Sequence, residues 1–181
     1  MAVDAFLIEP RWLEVTRVEV ETWKVSKPLR IVVISDLQTD EPGEFERSAL
    51  RRAMEEKPDL ILLPGDYLQV ARDERREARE RLRAIFRETG LSAPLGVHAV
   101  QGNVDPEDWT AIFDGLPVTC YPETRSVAAG PVVVTGMSFE DGFHARAFLK
   151  PAAPFHIAFG HAPDFALGDV GADLLVAGAR V

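Results

Sequence analysis

The sequence predicts a layered α/β protein with more than one sheet. Three observations carry this. Short apolar segments alternate with amphipathic helical ones over the first two thirds of the chain. Each of the first three strand-like segments runs into a loop with Asp or Asn. The last third changes to short strand-like runs separated by tight turns. Alternating βα units followed by β-rich chain imply stacked layers around a shared core.

Taken in order, Arg11 to Trp23 alternates apolar and polar steps and reads as one or two antiparallel strands. Ile31 to Ser35 is a β-branched run, as expected of a strand covered on both faces. Glu44 to Lys57 reads as a helix with Phe45, Ala49, Leu50, Ala53 and Met54 on one side, ended by Pro58. Leu60 to Leu63 is a second buried strand. Asp73 to Thr89 is a second helix, with Ala78, Leu82, Ile85 and Phe86 inward and Arg/Glu pairs such as Glu77 and Arg81 outward. Gly90 closes it. Gly96 to Val100 is the third strand, and Pro106 opens a short helix through Trp109 and Phe113. Val118–Tyr121, Arg125–Ala128 and Pro131–Gly136 read as a meander or second sheet. Gly142 to Phe148 reads as a short helix, and His156–Phe159 and Leu174–Ala177 as the last strands.

With 181 residues, 46% hydrophobic and 27% charged, the chain suits one soluble domain. A net charge of −9 argues against binding a nucleic-acid backbone. The single Cys120 excludes an internal disulfide and fits a reducing compartment, which points to the cytoplasm. No apolar run reaches the ~20 residues needed to span a bilayer.

The chemistry lies at the strand ends. Asp36 follows the first strand, Asp66 the second, Asn103 the third, and His161 follows His156–Phe159. Hard oxygen donors gathered at one sheet edge suit a divalent cation. The motifs Ser35-Asp36-Leu37-Gln38, Gly65-Asp66-Tyr67, Gly102-Asn103-Val104-Asp105 and Gly160-His161-Ala162-Pro163-Asp164 occur in the order found in the calcineurin-like metallophosphoesterases, which this chain resembles. Ile8-Glu9-Pro10 resembles the start of a bacterial branch that includes hydrolases similar to UDP-diacylglucosamine pyrophosphatases.

The resemblance implies an α/β/β/α sandwich of two mixed sheets and a metal-dependent hydrolysis of a phosphodiester or phosphoanhydride. It implies two divalent ions (Mn, Mg, Fe or Zn). Asp36 binds the first, Asp66 bridges both, and Asn103 and His161 bind the second. Gln38 stands where the family has a metal-binding His. The implied substrate is a phosphorylated small molecule or a lipid-linked one, with peripheral contact to a membrane.

Three departures modify that expectation. Gln38 offers an amide oxygen in place of an imidazole, weakening the first site and favouring harder ions. Val104 replaces the family's general-acid His. After Asp173 to Gly178 come Ala179, Arg180 and Val181, where the family has Gly-His-Thr-His. The resulting expectation is a truncated copy with an incomplete second sheet, an exposed apolar edge, weakened activity and only one well-held ion. The alternative is a non-catalytic module that binds a ligand or a protein. Asp105 is expected to order its loop, and Asp40 and Asp164 could serve to orient ligands. His98, His144 and His156 are expected to lie outside the site, and Cys120 to be a buried apolar residue.

Overall fold

The computed structural model describes residues 13–145, 148–150 and 154–178. The first sheet has the order β1-β2-β3-β4, with β1 Ile31–Val33, β2 Leu60–Leu63, β3 Val97–Ala99 and β4 Val118–Cys120. All its pairings are parallel. Helices α1 (Glu44–Glu55) and α2 (Arg75–Glu88) make the crossovers that parallel pairing requires. The second sheet has the order β10-β8-β6-β5, with β5 Arg125–Ala129, β6 Val132–Gly136, β8 Phe155–Gly160 and β10 Leu174–Ala177. Here β5 and β6 are antiparallel, and β6, β8 and β10 run parallel.

Period-2 alternation divides the core into layers. Ile61, Leu63, Val97 and Ala99 face the helices, packing with Leu50, Leu82, Ile85, Phe86 and Trp109. Leu60, Leu62 and Val100 face the other way, against Tyr121, Val134, Ile157 and Phe159 of the second-sheet side. The far face of the second sheet is covered more thinly. Met137, Ala158 and Phe165 form a small cluster there, with Phe165 on a 3-10 turn, Pro163–Leu167. A two-residue pairing of β7 (Phe148–Leu149) with β9 (Asp169–Val170) lies alongside. The α/β fold with two sheets therefore stands, one sheet parallel and one mixed.

Several elements differ from the sequence reading. Residues 13–30 contain no strand, although the pattern predicted one or two between Arg11 and Trp23; positions 11 and 12 lie outside the described residues. Val18 and Trp23 remain exposed, so the alternation there finds no sheet to pack on. Val118–Cys120 joins the first sheet beside β3 instead of a meander, making that sheet parallel throughout rather than mixed. The short helix expected after Pro106 is a 3-10 turn, Trp109–Phe113. The short helix falls earlier than expected, as α3 at Phe139–Gly142, where the Ser138 side chain caps it by accepting the Asp141 N–H. α1 ends near Lys57, whose φ of 53° leaves the helical region.

Leu62 is fully buried between the sheets. Leu62→Ala is expected to destabilise the fold by about 2–5 kcal/mol through lost transfer energy and a residual cavity. Urea unfolding with an unchanged m-value checks this.

Candidate metal centre

Parallel register brings the strand ends to one edge. Val33 pairs with Leu62, Leu63 with Ala99, and Ala99 with Cys120. The loops after β1, β2 and β3 therefore leave at one level, the position where open α/β sheets bind ligands. In the second sheet Ala177 pairs with Gly160, so His161 follows the end of β8 and Gly178 that of β10. The Gly178 N–H donates to the His161 carbonyl at 3.0 Å, and the His161 Nδ1–H donates to the Pro64 carbonyl at 2.8 Å. That second bond joins the two sheets at the edge.

The loops are held in an unusual backbone. Asp36, Gln38 and Asp66 have φ of 54°, 39° and 58°, and Lys57 is the only other described non-glycine residue in this region. Left-handed residues of this kind cost on the order of 1–3 kcal/mol each and persist where surrounding contacts over-determine them. Backbone bonds do that here: Asp36 N–H to the Gly65 carbonyl, and Gln38 N–H to the Asp66 carbonyl at 2.8 Å. Gly65 (φ 99°) and Gly102 lie against each other, and a Cβ on Gly102 would collide with the Asp66 carboxylate. Close packing of the two loops requires glycine at both positions.

Asp105 locks this contact. Its buried carboxylate accepts the N–H groups of Asp66, Tyr67 and Gly102, each at 2.8 Å. Burial raises its pKa; the three donors oppose that rise and the neighbouring Asp66 charge adds to it. Asp105 thus orders the loops, as the sequence suggested, and contacts no candidate ligand through its side chain other than by the backbone of Asp66.

Asp36, Asp66 and His161 each offer a ligand atom, all within 4.8 Å of one another. Asp66 Oδ1 accepts the Val104 N–H at 3.0 Å. Asp66 Oδ2 lies 3.3 Å from His161 Nε2, and Asn103 Oδ1 lies 2.8 Å from the same nitrogen. These separations are close to the ~3 Å expected of adjacent ligands that sit ~2.1 Å from a common ion. Since Nδ1 is committed to Pro64, Nε2 is the nitrogen that faces the oxygens. Burial of His161 would lower its pKa, but hydrogen bonds to Asp66 and Pro64, with the charges of Asp66 and Asp36, raise it above the ordinary value. Burial likewise opposes ionisation of Asp66, yet the His161 and Val104 hydrogen bonds, the His161 charge and the Asn103 N–H hold its carboxyl low. Two carboxylates, an amide oxygen and an imidazole nitrogen facing one another are donors of the kind a divalent cation takes, so the donor set fits a divalent metal.

The fold brings Asp36, Asp66, Asn103 and His161 together. Gln38 sits at the exposed rim, where its amide donates to Gln69 at 2.9 Å. Asp40 and Asp164 are exposed. His98 is buried against the Tyr121 hydroxyl at 2.7 Å, and His156 against Thr135 at 2.7 Å, both in the sheets and outside this cluster. Cys120 is half-buried and its thiol is pushed up to about 11, chiefly by burial. Ala179 to Val181 lie outside the described residues.

Two contributors have no sequence signature. Pro64 acts through its carbonyl, and Phe143 packs its ring 5.9 Å from that of His161. Ser35 had a signal in its place beside Asp36; its buried hydroxyl has no hydrogen-bond partner among the described residues.

Strand ends carrying carboxylates, an amide and an imidazole within ligand spacing could hold a divalent cation. The chain belongs to the calcineurin-like phosphoesterase family, whose model matches residues 29–178. No curated protein matches the chain. Among the described residues no helix is long and apolar enough to cross a membrane.

Asp105→Ala would strand three buried N–H groups. At ~1–3 kcal/mol per unsatisfied group, the loss is expected to reach about 3 kcal/mol or more. Metal affinity is expected to fall about 10–100-fold, as when a ligand-orienting partner is removed. Thermal unfolding and a Mn²⁺ titration of the same variant check both, and Asp105→Asn, which keeps one acceptor oxygen, should fall between.

Proposed function

We propose that this chain hydrolyses a phosphodiester or phosphoanhydride, using divalent cations held by Asp36, Asp66, Asn103 and His161, with Gln38 at the rim. The observation that carries the proposal is the convergence of Asp36, Asp66 and His161 ligand atoms within 4.8 Å. When bound, such a cation supplies Lewis-acid polarisation of a phosphoryl oxygen and lowers the pKa of water. The protein's own part is to fix the donors. Pro64 sets the His161 tautomer so that Nε2 carries the lone pair, and Val104 N–H occupies one oxygen of Asp66 and aims the other inward. Asp66, the central donor of the set, would help to hold each of the cations.

Val104 contributes its backbone N–H only, and its side chain cannot protonate a leaving group. A general acid is worth ~10²–10⁴ in rate. Slow turnover of esters with poor leaving groups follows, and one ion held more firmly than the other follows from Gln38. These same features support the second reading, a phosphate-binding module without turnover.

Asp66→Ala is expected to lower both metal uptake and hydrolysis of bis-p-nitrophenyl phosphate by at least ~10²-fold, more than loss of an orienting partner would. Elemental analysis after Mn²⁺ loading, run with the assay, tests this. Full metal content in the variant would remove Asp66 from the ligand set. Metal uptake with no hydrolysis by the unaltered chain would select the binding module.

A further inference from the structure

The run from Leu13 to Trp23 has the composition of a strand without its bonds. Val15, Thr16, Val18, Val20, Thr22 and Trp23 are residues of high β-propensity, and no residue from 13 to 30 has a left-handed backbone. Among the described residues, no backbone N–H or carbonyl from Leu13 to Trp23 has a hydrogen-bond partner. Val18 is 83% exposed and Trp23 89%, and Leu13 and Val20 are exposed as well. The run is nevertheless tied to the body. Arg17 reaches Glu56 at 2.6 Å, Lys24 reaches Asp173 at 2.8 Å, and Val25 and Leu29 pack into the core between the sheets. Asp173 immediately precedes β10, and β10 and β1 are the edge strands of their sheets. These edges border one side of the sandwich, because a Cβ on Gly178, after β10, would collide with the Ser35 hydroxyl, after β1. An unpaired, strand-like run beside two edges is a template for another chain.

The order of residues in the run says which chain. Antiparallel pairing of two copies about Val18 sets Val18 against Val18, Arg17 against Glu19, Thr16 against Val20 and Leu13 against Trp23. The Arg17–Glu19 pair then occurs twice, as two-fold symmetry requires. Opposite charges and apolar pairs facing each other in this way stabilise an antiparallel ladder. Moving the axis to Glu19 sets that carboxylate against itself, and parallel in-register pairing sets every charge against its like; both are unfavourable. Arg17 has room for a second carboxylate, since its side chain stays 64% exposed beside Glu56. We propose that Leu13–Trp23 is a homodimer interface, in which two copies of this chain join their runs as one antiparallel ribbon with Val18 on the two-fold axis. The ribbon gives partners to the open backbone groups and sets the exposed Trp23 ring against Leu13 of the other copy. Two free strands are marginal in water, but runs already tied at Glu56 and Asp173 have less freedom to lose on pairing. The net charge of −9 on each copy opposes association, and salt confines that repulsion to ~8 Å at ~0.15 M.

Sedimentation equilibrium of the full chain at ~0.15 M salt tests this. A species of twice the chain mass is expected, with a dissociation constant on the order of 10 μM for so small an interface. Val18→Lys sets like charges on the axis at a solvent-exposed position, and Glu19→Arg makes both cross-pairs repulsive; each is expected to weaken the dimer about tenfold or more while circular dichroism shows the fold retained. Cross-linking reads the register. Val18→Cys is expected to give a disulfide-linked dimer on mild oxidation, because residues facing across the axis lie ~4.5–5.5 Å apart at Cα. Val20→Cys, ~14 Å from its own copy, is expected to give none alone and to cross-link when mixed with Thr16→Cys. The unaltered chain controls for Cys120. A chain that stays monomeric at ~500 μM overturns the proposal. A dimer that Val18→Lys leaves intact overturns it too, since the contact then lies elsewhere. Cross-linking of Val20→Cys to itself without that of Val18→Cys overturns the register about Val18.

Discussion

The contact between the loops after β2 and β3 is the constraint on which the site depends. Gly65 and Gly102 pack backbone to backbone, and one buried carboxylate, Asp105, receives three N–H groups from both loops. Without that clamp the left-handed conformation of Asp66 would relax, since isolated residues avoid it by a kilocalorie or more. With it, Asp66 is aimed across the gap between the sheets toward His161. The strain at Asp36, Gln38 and Asp66 is offset by hydrogen bonds that link each loop to the next, so the three loops behave as one unit.

The two sheets have different tasks. The first is parallel, wedged between two helices and the second sheet, and supplies the oxygen donors. The second supplies the imidazole. Their meeting is local: the Pro64 carbonyl takes the His161 Nδ1 proton, and Gly178 packs where a side chain would collide with Ser35. A ring nitrogen aimed by one sheet at carboxylates carried by the other is sensitive to any sliding of the layers. The apolar packing of Leu60, Leu62, Tyr121, Ile157 and Phe159 resists that sliding and so bears on the chemistry as well as on stability.

Much of the scaffold was legible from local pattern. Leu60–Leu63 and the inward faces of α1 and α2 follow from apolar periodicity, and the structure has them within two residues or so. The donors at the strand ends were legible because a buried strand has to surface somewhere, and polar residues mark where. The failures share a cause. The alternating segment from Leu13 to Trp23 carries a strand-like pattern with no partner edge in the described structure. Val118–Cys120 carries a strand signal that cannot say which sheet it joins. The short helix begins at Phe139 because the Ser138 side chain caps it, and that depends on the local turn geometry.

By itself the sequence determined the order of βα units and the residues at their ends, because side-chain periodicity and strand punctuation are local properties. Only the tertiary structure decided that ligand atoms of Asp36, Asp66 and His161 meet within 4.8 Å, with Asn103 against His161. Their spacing depends on parallel register, on backbone conformations that no single residue prefers, and on a carbonyl at Pro64 that has no letter of its own. Those are cooperative features of several segments, and each exists only once the others are in place.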